Sequence, residues 1–223
     1  MKSRPAKAKL EITVDIVVFT IEDKLLKVVL VKRDLPPYKN KFSLPGGFLW
    51  QTESTVGATE RILKDKVNIG GIFMEQLYTF DHTNRDPRGH IISIAYFALA
   101  PIEELSQISS ADNIQLKSVH SFKGLAFDHD AILTYATKRL RSKLGYSNVA
   151  YSLLPKLFTL RQLQEVYEVI LGHPVDKRNF RKKILSLDII EPTNQQLTGQ
   201  RHRPARLHKF KKYSYSELEE PIF

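Results

Sequence analysis

The stretch PGGFLWQTESTVGATERILKDKVNI, Pro45 to Ile69, decides how the first half of this chain is read. Gly46 and Gly47 permit a tight turn and let the backbone come close to a bound group. With Ser43, Leu44 and Pro45 before them, they form a loop signal. Ser54 to Val67 then has helical spacing, with Val56, Ile62, Leu63 and Val67 as its apolar positions. Ile62, Asp65 and Lys66 share one face of that helix by i+3 and i+4 spacing. Carboxylates on such a face would hold Mg²⁺ against a pyrophosphate and activate water. One alkyl group, one carboxylate and one ammonium stand there instead. A hard dication needs several oxygens, so we expect no metal site and no required cofactor.

Outward from this stretch, the first part of the chain is mixed α+β. Glu11 to Phe19 and Leu25 to Val31 are β-branched runs separated by a turn at Glu22–Asp23. Gly71 to Phe80 and His90 to Ala100 read as further strands. Asp128 is a candidate N-cap for a helix over Ala131–Leu144. His82, His90, His120 and His129 show no metal-ligand spacing and are read as structural. Composition shifts near Gly145–Ser147, which suggests domains at 1–145 and 146–223.

The chain has 223 residues, 42% hydrophobic and 26% charged, as expected for one large or two modest globular domains. It has no cysteine, which excludes disulfides, zinc-thiolate sites and thiol nucleophiles. We expect a cytoplasmic protein with no secretory signal. Glu11 and Asp15 break the only apolar run near the N-terminus, and no run is long enough to span a bilayer. Net charge is +10, pointing to a polyanionic partner or to solubility alone. The location of the charge favours the partner. Gly145 to Lys212 holds 13 Lys and Arg against 5 Asp and Glu, and Tyr213 to Phe223 adds three Glu.

That basic segment has the order helix, turn, helix, wing. Thr159 caps LRQLQEVYEVILG, whose buried stripe is Leu160, Leu163, Val166, Tyr167, Ile170 and Leu171. Gly172–His173–Pro174 is a tight turn, and Asp176 caps KRNFRKKILSL. With Phe180, Ile184 and Leu187 inward, Arg178, Arg181 and Lys182 face out with Asn179 at the flank. Arg pairs with guanine, Asn with adenine, and Lys holds phosphate. Strands at Leu197–Thr198 and Leu207–Phe210 would make a wing whose tip offers Arg201, His202, Arg203 and Arg206 to DNA.

Gly47 to Ile69 resembles the Nudix box: Gly47, Glu53, Arg61, Leu63 and Ile69 match its glycine, glutamate, arginine and aliphatic positions. The resemblance makes Glu53 and Arg61 a scaffold pair tying loop to helix. Its three metal-binding glutamates read Ile62, Asp65 and Lys66 here, and its last glycine reads Asn68. It implies a Nudix-type α/β/α sandwich with a mixed sheet, followed by a winged helix-turn-helix. That order, with Thr79–Leu99 and Leu197–Phe210, resembles the Nudix-related transcriptional regulators of NAD metabolism, the NrtR family. The resemblance implies a homodimeric repressor on palindromic double-stranded DNA, released by ADP-ribose or a related phosphorylated metabolite.

Arg33, Gly46, Gly47, Glu53, Asp65, Lys66, Arg85 and Arg88 are the expected effector-binding residues. Lys32 could also reach phosphates, and Phe48 or Phe80 could stack a base. The competing reading is an active Nudix hydrolase of ADP-ribose-type substrates, with Glu53, Glu60 and Asp65 holding a metal. A third is a DNA-binding protein whose first domain only dimerises.

Overall fold

The computed structural model describes residues 10–105, 113–121, 123–197 and 204–223. Strands β1 (Glu11–Glu22), β2 (Leu25–Lys32), β3 (Phe42–Ser43) and β4 (Gly46–Phe48) precede helix α1 (Thr55–Ile62). Strands β5 (Phe73–Phe80), β6 (Ile91–Leu99) and β7 (Ile114–Ser118) lead to helix α2 (His129–Tyr146). Helices α3 (Leu160–Leu171) and α4 (Lys177–Ser186) and strands β8 (Ile190–Leu197) and β9 (Ala205–Phe210) complete the chain.

The order β3-β2-β1-β6-β5 forms one sheet, with β4 also on β1 and β7 also on β2. β1 and β6 run parallel from Glu11↔Ile91 to Phe19↔Leu99, and the other pairings are antiparallel, so the sheet is mixed. β1 is buried on both faces, which is why its sequence runs apolar without alternation. Val14, Ile16 and Val18 pack with Ala58, Ile62, Leu63 and Val67 on one side. Val17 and Phe19 pack with Ile132, Ala136 and Leu140 of α2 on the other. The result is the expected α/β/α sandwich.

Several expected boundaries shift for physical reasons. The predicted helix over Ser54–Val67 is α helix only to Ile62, and a π turn covers Leu63–Val67. It ends at Asn68 in the left-handed region (φ 55°), a conformation that asparagine tolerates better than most residues. α2 starts at His129 and runs to Tyr146, longer than Ala131–Leu144. Asp128 holds the N-cap position without capping, because its carboxylate binds Arg85 instead.

The two helices of the winged region form at the expected places, and the wing strands start earlier than read. The Thr159 hydroxyl accepts from Gln162 N–H, and the Gln162 side chain answers at Thr159 N, a complete capping box. Gly172 ends α3 with φ 79°. The first wing strand begins at Ile190, well before Leu197, and runs through Pro192, with an irregular register between Pro192 and Gln196. A proline is tolerated there because the ribbon has only two strands. Thr198 to Arg203, including Arg201, His202 and Arg203, lie outside the described residues. One apolar core runs from Val17 through Leu144 to Phe180 and Phe210, so the composition change at Gly145 is no gap in packing. Among the described residues, no helix is long and apolar enough to cross a membrane.

Candidate functional site: a cationic pocket and a basic helix face

The glycine loop lies on β1 in antiparallel register, with Asp15 opposite Gly46 and Val14 opposite Gly47. A Cβ on Gly46 would lie 2.1 Å from Asp15 Oδ1 and 2.9 Å from the Val14 carbonyl oxygen, so the position admits only glycine without local rearrangement. Around this close approach opens a cleft of about 650 Å³. Of the expected residues, Arg33, Gly46, Gly47, Asp65, Lys66, Arg85 and Arg88 line it.

Glu53 does not line the cleft. Its carboxylate binds Arg61 at 2.6 and 2.9 Å and accepts the Trp50 N–H at 2.8 Å. Arg61 also donates to the Phe48 carbonyl and lies 3.7 Å from the Trp50 ring centroid. Glu53, expected among the effector-binding residues, thus sits outside the cleft in an ion pair that ties the loop to α1. Ile62 is fully buried, with its Cδ1 against Gly47. Beside Asp65 and Lys66 it therefore offers no oxygen to a metal.

The Lys66 ammonium donates to the Gly46 carbonyl at 2.6 Å. Partial burial and the nearby Arg33 push its pKa below the ordinary lysine range, although Asp15 and Asp34 work the other way. The residues present do not fit a divalent metal. Among the described residues, no group of three or more His, Asp or Glu could share one.

The floor holds a buried network with Asp15 at its centre. Asp15 accepts from the Ser93 hydroxyl at 2.6 Å and from Arg85 at 3.3 Å, with His129 Nε2 at 3.5 Å. His129 Nδ1 accepts the Leu44 N–H at 2.9 Å, which leaves the Nε2 proton facing Asp15. Burial alone would raise the Asp15 pKa, but His129, Arg85 and Ser93 hold it well below the usual carboxylate range. Arg85 also binds both oxygens of Asp128 and its side chain is 2% exposed, so it sets the floor's charge and presents no free fork. Arg85 thus lines the cleft as expected, with its guanidinium already held by carboxylates of the same chain. His129, read as structural, lines the cleft and holds Leu44 N–H and Asp15 there.

Arg88 and Arg33 remain at the rim. Arg88 pairs bidentately with Asp86 at 2.6 and 2.9 Å and is 37% exposed. Arg33 donates to the Pro37 carbonyl, and its guanidinium lies 4.7 Å from the Phe127 ring centroid. Lys32 and Phe48 line the cleft, and Phe80 does not. Asp15, Asp86 and Phe127 are members that the spacing arguments missed. A charge inside a β-branched run was the available signal for Asp15, and Phe127 had none.

The second candidate surface is α4. Its cap is Asp176, which accepts the Asn179 N–H at 2.8 Å. Phe180 and Ile184 are buried, with Phe180 edge-on to Tyr167 of α3 at 5.1 Å. Arg178, Asn179 and Lys182 are exposed as expected, and Arg206 is exposed on the wing. Arg181 is only partly exposed and its Nε is buried, so it is turned further inward than the spacing suggested.

The sequence model for the NrtR DNA-binding winged helix domain matches residues 150–210. The ADPR responsive transcriptional repressor NtrR of Acinetobacter baylyi is 34% identical over 210 residues, covering 91% of this chain and 83% of that one. An ADP-ribose pyrophosphatase of Methanocaldococcus jannaschii is 33% identical over 113 residues, 51% of this chain and 67% of that protein. Shewanella oneidensis NrtR, solved with a 27mer DNA, superposes with a TM-score of 0.86 at 35% identity, covering 94% of this chain and 98% of that one. The Nudix domain of the same protein, solved with ADP ribose, gives 0.54 at 35% identity over 62% of this chain and 94% of that one. With a relative matched over most of both lengths, and a Nudix-type sandwich joined to a winged helix, this chain belongs to the NrtR family of Nudix-related transcriptional regulators.

Proposed function

We propose that this chain is a transcriptional repressor of genes for NAD synthesis or salvage, and that its cleft is a sensor rather than a catalytic site. The cleft takes ADP-ribose or a related phosphorylated metabolite, and binding weakens the hold on DNA. The carrying observation is the state of the box. Its scaffold pair Glu53–Arg61 is intact, while the metal face has become a buried Ile62 and a Lys66 ammonium on the Gly46 carbonyl. A single ammonium supplies charge to a diphosphate without supplying a bound hydroxide.

In this reading residues 1–145 sense and dimerise, and residues 146–223 bind DNA. The active species is a cytoplasmic homodimer on a palindromic operator. Its two α4 helices lie about 34 Å apart, one DNA turn, and no cofactor is needed. Arg178, Asn179, Arg181 and Lys182 contact the major groove, with Arg201, His202, Arg203 and Arg206 supplied by the wing. An ADPR responsive repressor among the relatives, and solved relatives bound to DNA and to ADP ribose, support both ligands.

Fluorescence anisotropy tests this with DNA upstream of the protein's own gene and its neighbours, in metal-free buffer. Binding that weakens when ADP-ribose is added is expected. Specific binding indifferent to ADP-ribose would remove the effector assignment, and absence of binding would remove the repressor. The pyrophosphatase relative favours a second reading, hydrolysis, for which Mg²⁺-dependent release of AMP from ADP-ribose is the measurement.

A further inference from the structure

Phe127 takes no part in the core. It is half-buried on the cleft wall just before α2, with a backbone φ of 58°. An aromatic residue in the left-handed region is strained, and such strain concentrates at ligand clamps. The neighbours hold it there. Tyr38, itself at φ 63°, meets the ring edge-on at 5.0 Å, and the His129 ring lies at 5.2 Å. Ala126 N–H donates to the Phe42 carbonyl at 2.8 Å and fixes the preceding residue.

What lies over Phe127 is planar and cationic. The Arg88 guanidinium is 5.3 Å from its centroid and 5.0 Å from that of Phe48 on β4, while Arg33 approaches the same Phe127 ring at 4.7 Å. Guanidinium groups and nucleobases are both flat and both stack on aromatic faces. We propose that Phe127 is the stacking platform for the base of the effector, and that the Arg88 guanidinium holds that place between Phe127 and Phe48 until the base arrives. Once displaced, Arg88 joins Arg33 and Lys66 in facing the diphosphate. This rests on the cleft being an effector pocket, and it narrows the ligand class. A nucleoside diphosphate compound uses platform and cations together, whereas a sugar phosphate uses only the cations.

The test is calorimetric titration of the full chain in metal-free buffer with ADP-ribose and with ribose 5-phosphate. Wild type, Phe127→Leu and Phe127→Tyr are compared, and operator binding without ligand serves as the control for folding. Phe127→Leu is expected to weaken ADP-ribose by roughly 5- to 150-fold, the range of one base–aromatic stack, and to leave ribose 5-phosphate unchanged. Phe127→Tyr restores ADP-ribose. On the wild-type chain, adenine H2 and H8 of bound ADP-ribose should show NOEs to the ring protons of Phe127 and Phe48, and in Phe127→Leu only the Phe48 set should remain. Equal ADP-ribose affinity in wild type and Phe127→Leu overturns the platform and leaves the effector reading standing. So do NOEs unchanged by that substitution. A wild-type chain that binds no ADP-ribose overturns both.

Discussion

Asp15 shows how one buried charge can organise a site. Taking a carboxylate and a guanidinium out of water is costly, and their attraction offsets that cost only when the remaining hydrogen bonds are made. Ser93, His129 and Asp128 make them here. Asp15→Asn should therefore destabilise the fold by about 3 kcal/mol, the low end for breaking a buried pair, because Arg85 keeps Asp128. The pH dependence has a definite sign. The folded pKa lies below the ordinary 3.8, so this stabilisation is complete above 3.8 and is lost as pH falls through the depressed value. Urea unfolding across pH should show a flatter acid limb in Asp15→Asn than in wild type. Lys66 poses the same kind of question at the rim. Lys66→Ala should weaken ADP-ribose at least about 10-fold, as loss of a charged hydrogen bond does. In wild type the affinity should fall as pH rises through the lowered Lys66 pKa, earlier than an ordinary lysine would allow. Calorimetry across alkaline pH checks both, and an unchanged Lys66→Ala affinity would make Lys66 a bystander.

At the scale of elements, α1 and its π turn must stop at Asn68 so that Val67 and Ile69 both reach the core. A β-branched residue is poor at φ 55°, so Asn68→Val should cost about 1–2 kcal/mol, whereas Asn68→Gly should cost nothing measurable. Thermal unfolding of the two variants decides it. For α4, the exposed side chains are separable by their chemistry. Arg178→Ala should relax base preference at one operator position. Lys182→Ala should weaken binding to all sequences and reduce the salt slope of log K by about 1. Anisotropy at several salt concentrations with matched and scrambled DNA tells them apart, and identical salt slopes would refute the phosphate role of Lys182.

Across the whole molecule, α2 and the C-terminal segment connect pocket to reading helix. α2 begins at His129 in the pocket floor and ends at the junction with the winged helix. There the last residues fold back as a strap. Leu218 N–H donates to the Tyr146 carbonyl and Ile222 N–H to that of Gly145, both at 2.8 Å. Tyr215 accepts from Lys143, which also pairs with Glu75 of β5 at 2.8 Å. Glu220 binds Lys183 of α4, and Phe223 meets Tyr167 of α3 at 6.0 Å. The strap thus touches the sheet, the junction and the reading helix together. Deleting Ser214–Phe223 removes the burial of Ile222, worth about 2 kcal/mol, and these cross-links. The truncated chain should melt earlier and keep some operator affinity, but respond less to ADP-ribose. A full effector response in the truncated chain would exclude the strap from coupling.

Much of this was written locally. The apolar run of β1, the apolar spacing of α3, the Thr159 and Asp176 caps, the glycine turns and the inward set Phe180 and Ile184 follow from the chain's own patterning and turn chemistry, so sequence determined a mixed α+β first part and a winged helix. The Glu53–Arg61 pair and the altered metal face were legible because they fall at the fixed spacing of the box the segment resembles, across the loop and the helix that follows it. What spacing cannot carry is contact between distant segments. Asp15, Arg85 and the adjacent Asp128 and His129 come from three distant places in the sequence and meet only once β1 pairs with β4 and α2 packs across the sheet. Only that packing turned Arg85 from a rim cation into a floor strut, took Asp128 from its helix cap, brought Phe127 beside Arg88, and tied the acidic tail to the basic helix. These outcomes depend on burial and on which partner is nearest in space, and both are properties of the folded chain.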